Sequence, residues 1–431
     1  MFIPFVLAGE KIEATVTEQK AGFARASAVS IVEASPHRVH PGCPYFTRCG
    51  GCHYQHASYE HQLEIKKEIL RETLRRTAKL ELPGEIQVHA SPPWNYRNRS
   101  RLQIRTSPAF VLGYFKGASQ DVLAVEECPI SSPLINRGIA AVWKLGREGK
   151  IPAGVNEIEF FANAEDSEML VEIACLEEAR RAAVRGVAEE LRAALGEIVG
   201  VVGFRENPGE RPHFSRKRRA RNGAPGSGTS EKLVSVGAPF LAYRAAKATY
   251  RVSSGSFFQT NRFLVDELVR IVTDGRSGER ALDLYSGVGL FSTALGGDIR
   301  HIVSVESSQT SSGDLSYNRS SNTEVVQATT EQYLASLENS GRVGKGAVLP
   351  HTSYQPDLAV VDPPRIGLGE RVARQLATLG VPVLIYVSCD PATLARDLVP
   401  LLAGGYRVER AHLVDLFPQT FHIESVLELR N

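Results

Sequence analysis

The chain has 431 residues, 43% hydrophobic and 23% charged, with a net charge of +2, which excludes a fibre, a disordered chain and a uniformly basic polyanion binder. Its length exceeds what one compact core accommodates and implies two to four domains. No apolar run approaches the roughly 18 residues of a membrane helix, and "MFIPFVLAGEK" lacks a secretory pattern, so a cytoplasmic protein without a membrane partner is expected.

Residues 12 to 39 alternate apolar and polar side chains and predict two or more strands of a small β unit, too short to close a barrel alone. The Gly, Pro and Cys-rich stretch "PGCPYFTRCGGCHYQH" follows. Six cysteines are too few for a disulfide scaffold in a chain this long, and clustered ones in a reducing compartment point to metal binding or chemistry. In "HQLEIKKEILRETLRRTAKL", Leu63, Ile69, Leu70 and Leu74 recur near helical spacing, which predicts a helix with a basic wet side.

From about 85 to 245 the chain reads as strand-rich, with one helix near 176 to 195. In "YRNRSRLQIR", Arg97, Arg99 and Arg101 alternate onto one side of a strand, fit for phosphate contact or for a solvated sheet face. "SRKRRARNGAPGSG" gathers Arg216, Lys217, Arg218, Arg219 and Arg221, too much like charge for a core. It predicts a basic loop that meets RNA or serves as a solvated linker.

Beyond about 246, the apolar runs "RALDLYSGVG", "HIVSVESS", "DLAVVDPP" and "VLIYVSCD" alternate with helices, which predicts a parallel sheet covered on both faces. Ligands in such folds bind beyond the carboxyl ends of the strands. The first run enters Gly287 and Gly289, which let a ligand approach the backbone; Ser292 stands where a dinucleotide fingerprint needs its third glycine. Glu306 ends the second run, suited to the hydroxyls of a ribose. A nucleoside without phosphates, such as S-adenosylmethionine, fits both. Asp362, Pro363 and Pro364 end the third run in a stiff turn whose polar function rests on the carboxylate and Arg365.

The fourth run ends in Cys389, with Asp390 as a candidate helix N-cap and Pro391 at the first helical position. A helix N-terminus lowers a thiol's pKa, which predicts a nucleophilic thiolate; the alternative is a small buried apolar side chain. A thiolate beside S-adenosylmethionine suits pyrimidine chemistry. Adding sulfur to carbon 6 turns carbon 5 into a nucleophile for a methyl group, and a base must then remove the carbon 5 proton. "FHIESVLEL" offers His422 and Glu424 as that base, and "SGSFFQTN" offers the Gln259 amide to a base edge or the cofactor.

The motifs "FFQTN", "DLYSGVGLFS", "VVDPPR", "YVSCDPATLARDL" and "HIESV", in this order over about 180 residues, resemble the RNA uridine-5 methyltransferase family. The resemblance implies Cys389 as nucleophile, Glu424 as base, Gln259, Tyr285, Gly287, Gly289 and Glu306 at the cofactor, and Asp362 in the same pocket. One departure is "VVQATTEQY", where the family has an acidic residue near Thr329. Upstream, Cys43, Cys49 and Cys52, with Cys128 in "EECPI", resemble the ligands of a 4Fe-4S cluster in the iron-sulfur branch of the family, although thiolates suit zinc equally by chemistry alone. Their C-x5-C-x2-C spacing differs from the C-x3-C-x2-C of radical enzymes, which favours polar methyl transfer. Cys175 is expected in a core. "YRNRSRLQIR" matches the family too, and the N-terminal β unit resembles a shortened TRAM domain.

The expected fold is α/β: a TRAM-like unit (1–40), an iron-sulfur loop with a central RNA-binding α+β domain (41–245), and a Rossmann-like methyltransferase domain (246–431). The expected activity is S-adenosylmethionine-dependent formation of 5-methyluridine in structured RNA, foremost 23S rRNA, by a monomer that unstacks its target. A T-loop uridine of tRNA, a cytosine substrate and a non-catalytic RNA-binding assembly factor are the alternatives.

Overall fold

A computed structural model describes residues 1–205, 231–340 and 355–431. Strands β1 (Lys11–Lys20) and β2 (Phe23–Glu33) form an antiparallel hairpin that turns at Gly22, whose φ of +99° suits a residue without a Cβ. Its base is tied down by Glu10, which accepts from Arg38 Nη2 (2.7 Å), Leu7 N (2.8 Å) and Ser35 N (3.2 Å). The Arg38 guanidinium holds the Glu10 carboxyl down at about 2. The cysteine-bearing segment then leads to α1 (Tyr59–Thr73), which runs on through a π turn at Leu74–Ala78 to the three-residue strand β3 (Gln87–His89).

The middle of the chain is a seven-stranded sheet. In chain order it contains β4 (Arg99–Arg105), β5 (Val111–Phe115), β6 (Val122–Ala124), α2 (Pro133–Arg147), β7 (Val155–Ala162), β8 (Met169–Cys175), α3 (Arg181–Ala194), β9 (Ile198–Arg205) and β10 (Glu231–Gly237). The strand order is β10-β9-β8-β7-β4-β5-β6. Helix α2 is capped by Ser132, whose hydroxyl accepts from Ile135 N (3.4 Å), and Pro133 occupies its first turn. Its apolar side shares a core with α3 and the strands, and Cys175 is buried there.

A hairpin of β11 (Phe240–Ala245) and β12 (Ala248–Ser253) precedes α4 (Val265–Thr273) and the last sheet. That sheet comprises β13 (Gly278–Leu284), β14 (Ile299–Glu306), β15 (Thr323–Gln327), β16 (Leu358–Val361), β17 (Val383–Ser388), β18 (Arg407–Val414) and β19 (Glu424–Arg430), connected through α5 (Leu290–Leu295), α6 (Gln309–Asn318), α7 (Thr330–Ser340), α8 (Gly369–Leu379) and α9 (Pro391–Ala403). The order is β15-β14-β13-β16-β17-β19-β18-β3.

One expectation needs correction: the sheet is not wholly parallel, because β19 inserts antiparallel between β17 and β18. Packing also crosses the expected boundary at residue 245. Strand β3 extends the last sheet alongside β18, and Leu70, Leu74 and Ile86 are buried in one core with Leu284, Leu401 and Leu427. On the other face, Phe161 and Leu170 share a core with Tyr243, Tyr250, Phe258 and Val360. Apolar faces of the central and hairpin segments are thus covered by this sheet. No helix among the described residues is long and apolar enough to cross a membrane.

Candidate active site

The predicted site residues from the strand turns converge at the carboxyl ends of β13, β14, β16 and β17. After β13 the chain passes through left-handed backbone at Tyr285 (φ +61°), Gly287 (φ +56°) and Gly289 (φ +92°) before α5. A Cβ at Gly289 would come within 2.6 Å of Leu315, whereas one at Gly287 would meet nothing within 4 Å, so open space adjoins that backbone. Glu306, at the end of β14, folds under the turn: its Oε2 accepts from Gly287 N (2.9 Å) and its Oε1 from Ser308 N (2.6 Å). Burial raises its proton affinity although these N–H groups act against it. Turn backbone, open space and a partly satisfied carboxylate fit a nucleoside cofactor at Gly287, Gly289 and Glu306.

Gln259 and Asp362 meet across this region, with Gln259 Nε2 3.4 Å from Asp362 Oδ2. Beneath them is Asp283, which the sequence reading missed. It is fully buried, and hydrogen bonds from Ser292 and Ser286 offset only part of the cost of burying its charge. Burial pushes Asp283 up to about 7, and burial together with the Asp283 charge pushes Asp362 up to about 7. An aspartate inside "ALDLYSG" gave the available signal, since a strand core rarely accepts one.

Cys389 and Glu424 face each other through strand register. Ser388 of β17 pairs with Ser425 of β19, so the next antiparallel step brings residue 389 opposite residue 424. Asp390 caps α9 as expected, accepting from Ala392 N (2.9 Å) and Thr393 N (3.0 Å). The expected lowering of the thiol pKa does not follow. Burial, then the charges of Glu424 and Asp362, push the Cys389 thiol up to about 12, and the capping carboxylate of Asp390 adds to the effect. The cap occupies the very N–H groups that would have favoured a thiolate. Arg365 acts the other way on both Cys389 and Glu424, whose own proton affinity burial and Asp362 raise. His422 lies 3.4 Å from Arg365 Nη2 through its Nδ1.

A second residue the sequence reading missed is Asp397, inside α9. Its buried carboxyl accepts from Leu368 N (2.6 Å), Gly369 N (3.2 Å) and the Tyr386 hydroxyl (2.8 Å), and so ties the Pro363–Pro364 turn to the helix that follows Cys389. Tyr285 packs at the edge of the same core.

The predicted phosphate row is corrected. Arg99 pairs with Glu159 and Glu172 and donates to Ser256 O (2.6 Å). Arg101 reaches Glu159 (2.6 Å) and Glu157 (3.0 Å). Acidic residues on β7 and β8 therefore consume both cations. Arg97 turns instead toward the cysteines, its Nε buried without a partner among the described residues. Arg216, Lys217, Arg218 and Arg219 lie outside the described residues.

Cys43, Cys52 and Cys128 gather around Phe46, Tyr96 and Ile130, and Cys49 is near enough to Cys43 and Cys128 to interact with them electrostatically. The Cys128 thiol acts electrostatically on each of the other three, and Arg97 on Cys49 and Cys52. Gln55 Oε1 accepts from Cys43 N (3.1 Å) and Asn136 Oδ1 from Cys128 N (2.9 Å), which orients both backbones. As the side chains stand, no group of three or more His, Cys, Asp or Glu among the described residues is arranged to hold a metal ion. Four soft donors beside a buried guanidinium with an unsatisfied Nε nevertheless match the donor set and negative charge of a thiolate-bound cluster.

Comparison with known proteins bears on the family and the fold. A family model described as tRNA (Uracil-5-)-methyltransferase matches residues 239–431. An uncharacterized RNA methyltransferase of Streptomyces avermitilis is 33% identical, over 99% of this chain and 92% of the relative. The 23S rRNA (uracil(1939)-C(5))-methyltransferase RlmD of Pseudomonas fluorescens is 31% identical, over 99% and 88%. Among solved structures, the Pyrococcus abyssi tRNA (uracil-54, C5)-methyltransferase in complex with S-adenosyl-L-homocysteine superposes with a TM-score of 0.71 at 25% identity, over 99% of this chain and 95% of that one. With its strand-end cysteine facing a glutamate and its full-length relatives above 30% identity, the chain belongs to the RNA uracil-5 methyltransferase family.

Proposed function

We propose that the protein methylates carbon 5 of a uridine in structured RNA, with S-adenosylmethionine as donor and 23S rRNA as substrate, through transient covalent attachment of Cys389. The observation that carries this reading is the cross-strand opposition of Cys389 and Glu424 beside Arg365 and Asp362. The choice of 23S rRNA rests on the RlmD relative, 31% identical over nearly the whole chain.

Burial and the neighbouring carboxyls of Glu424 and Asp362 favour the protonated thiol. A flipped uridine beside Arg365 places a cation where the ring becomes negative. The Cys389 sulfur then bonds to carbon 6, its proton released to solvent, and the carbon 5–carbon 6 electron pair shifts into an enolate. S-adenosylmethionine, when bound, supplies the electrophilic methyl for carbon 5. Glu424 accepts the carbon 5 proton, the sulfur–carbon bond breaks and the double bond re-forms, releasing 5-methyluridine and the thiolate. Gln259, Tyr285, Gly287, Gly289, Glu306 and Asp362 orient the donor.

Cys43, Cys49, Cys52 and Cys128 are proposed to hold a 4Fe-4S cluster, with Arg97 offsetting its charge. The cluster ties the N-terminal segment to the central sheet and takes no part in the transfer.

The test is incubation with RNA carrying 5-fluorouridine at the target position and S-adenosylmethionine. Trapping at Cys389 is expected, since fluorine cannot leave as a proton does. Methylation of ordinary RNA without any trapped species would refute the covalent route.

A further inference from the structure

The loop between β18 and β19 is held from outside itself. Five successive carbonyls accept hydrogen bonds from distant segments: Asp415 O (3.5 Å) and Leu416 O (3.1 Å) from Asn261, Phe417 O from Lys66 Nζ (2.9 Å), Pro418 O from the Tyr96 hydroxyl (3.0 Å), and Gln419 O from His53 N (2.8 Å) and Tyr54 N (3.0 Å). Gln419 adopts a left-handed φ of +67°, a state disfavoured for a residue with a Cβ. The Gln62 amide holds it there, donating to Gln419 Oε1 (3.0 Å) and accepting from Gln419 N (3.0 Å).

An aromatic ring follows the clamped segment. The Phe421 ring lies 4.3 Å from that of His53 and 4.5 Å from that of His422, and it stays 37% exposed. His422 approaches Arg365, which acts on both Cys389 and Glu424. The clamped loop is thus followed by a partly exposed phenylalanine ring three residues before the candidate base and next to the histidine that approaches Arg365. A base stacked there would meet a ring already fixed in place, with little ordering left to do.

We infer that Phe421, backed by His53, is a stacking shelf for an unpaired RNA base next to the target uridine. This rests on the function proposed above. Drawing the target into the pocket unstacks its neighbour, which exposes a π face needing a new partner. The shelf would tolerate any base, because stacking on phenylalanine reads no hydrogen-bonding edge.

The test uses RNA with 2-aminopurine on either side of the target uridine. Binding to the wild-type protein should quench one of these probes beyond its value in free RNA. Phe421→Ala and Phe421→Leu should abolish that quenching and raise KM for RNA about ten- to hundredfold, with kcat within about twofold. Phe421→Tyr should restore both. Quenching and KM unchanged in Phe421→Ala would overturn the shelf, as would equal rescue by leucine and tyrosine. The 5-fluorouridine adduct of the wild type reports on the underlying function separately, so a missing adduct and a missing shelf are told apart.

Discussion

Asp283 on β13 lies beside Asp362, the residue that follows the adjacent parallel strand β16, and the buried charge of the first helps hold the second protonated up to about pH 7. Both carboxyls bind a proton more tightly in the folded protein than in the unfolded chain, whose ordinary value is 3.8. Their stabilising contribution is therefore complete below that value and is lost as pH rises through about 7. The ligand-free protein should melt at lower temperature at about pH 8 than at about pH 6, and Asp283→Asn should flatten this trend. A melting temperature that rises over the interval would contradict the arrangement.

Lys66 and Asp415 form a buried ion pair at 2.6 Å between segments 349 residues apart. Lys66→Met removes the cation and leaves Asp415 with the Tyr59 hydroxyl as its remaining side-chain donor. The expected cost is about 3–5 kcal/mol in denaturant unfolding. Replacing both partners by apolar residues should cost less, which a double-mutant cycle would show.

Arg99 and Arg101 are committed to Glu157, Glu159 and Glu172, so their replacement by alanine should lower stability without changing the salt dependence of RNA binding. Neutralising Arg216, Lys217, Arg218 and Arg219 should act the other way. Each cation that no longer meets a phosphate reduces the slope of log affinity against log salt by about 0.7–0.9. Filter binding at several salt concentrations separates the two sets.

Protein purified without oxygen should be brown, with broad absorption near about 400 nm. Arg97→Met removes the cation near the cysteines and should make the cluster harder to reduce, read as a more negative midpoint in redox titration. A colourless protein containing zinc would overturn the cluster and leave the role of Cys389 intact.

The turns of the last sheet were legible because strand ends carry chemistry in short contiguous motifs: the glycines after β13, Glu306 after β14, Asp362 after β16 and Cys389 after β17 all stand where the pattern predicts. What escaped depends on partners far away in sequence. Strand β3 has only three residues and owes its existence to pairing with β18, more than 300 residues later. The row of Arg99 and Arg101 reads the same whether it faces phosphate or acid, and only the neighbouring strands decide. The same holds for Cys389: its helix start was evident, but the carboxyls that outweigh it come from Asp362 and Glu424.

The position of β19 makes the continuity of the last sheet hang on one strand. Without residues 424–430 nothing would join β17 to β18, and the sheet would stand as two pieces separated by a gap one strand wide. The strand that closes that gap also brings in Glu424. Closure of the sheet and the arrival of Glu424 beside Cys389 therefore depend on the same seven residues, so a change that loosens β19 should disturb both.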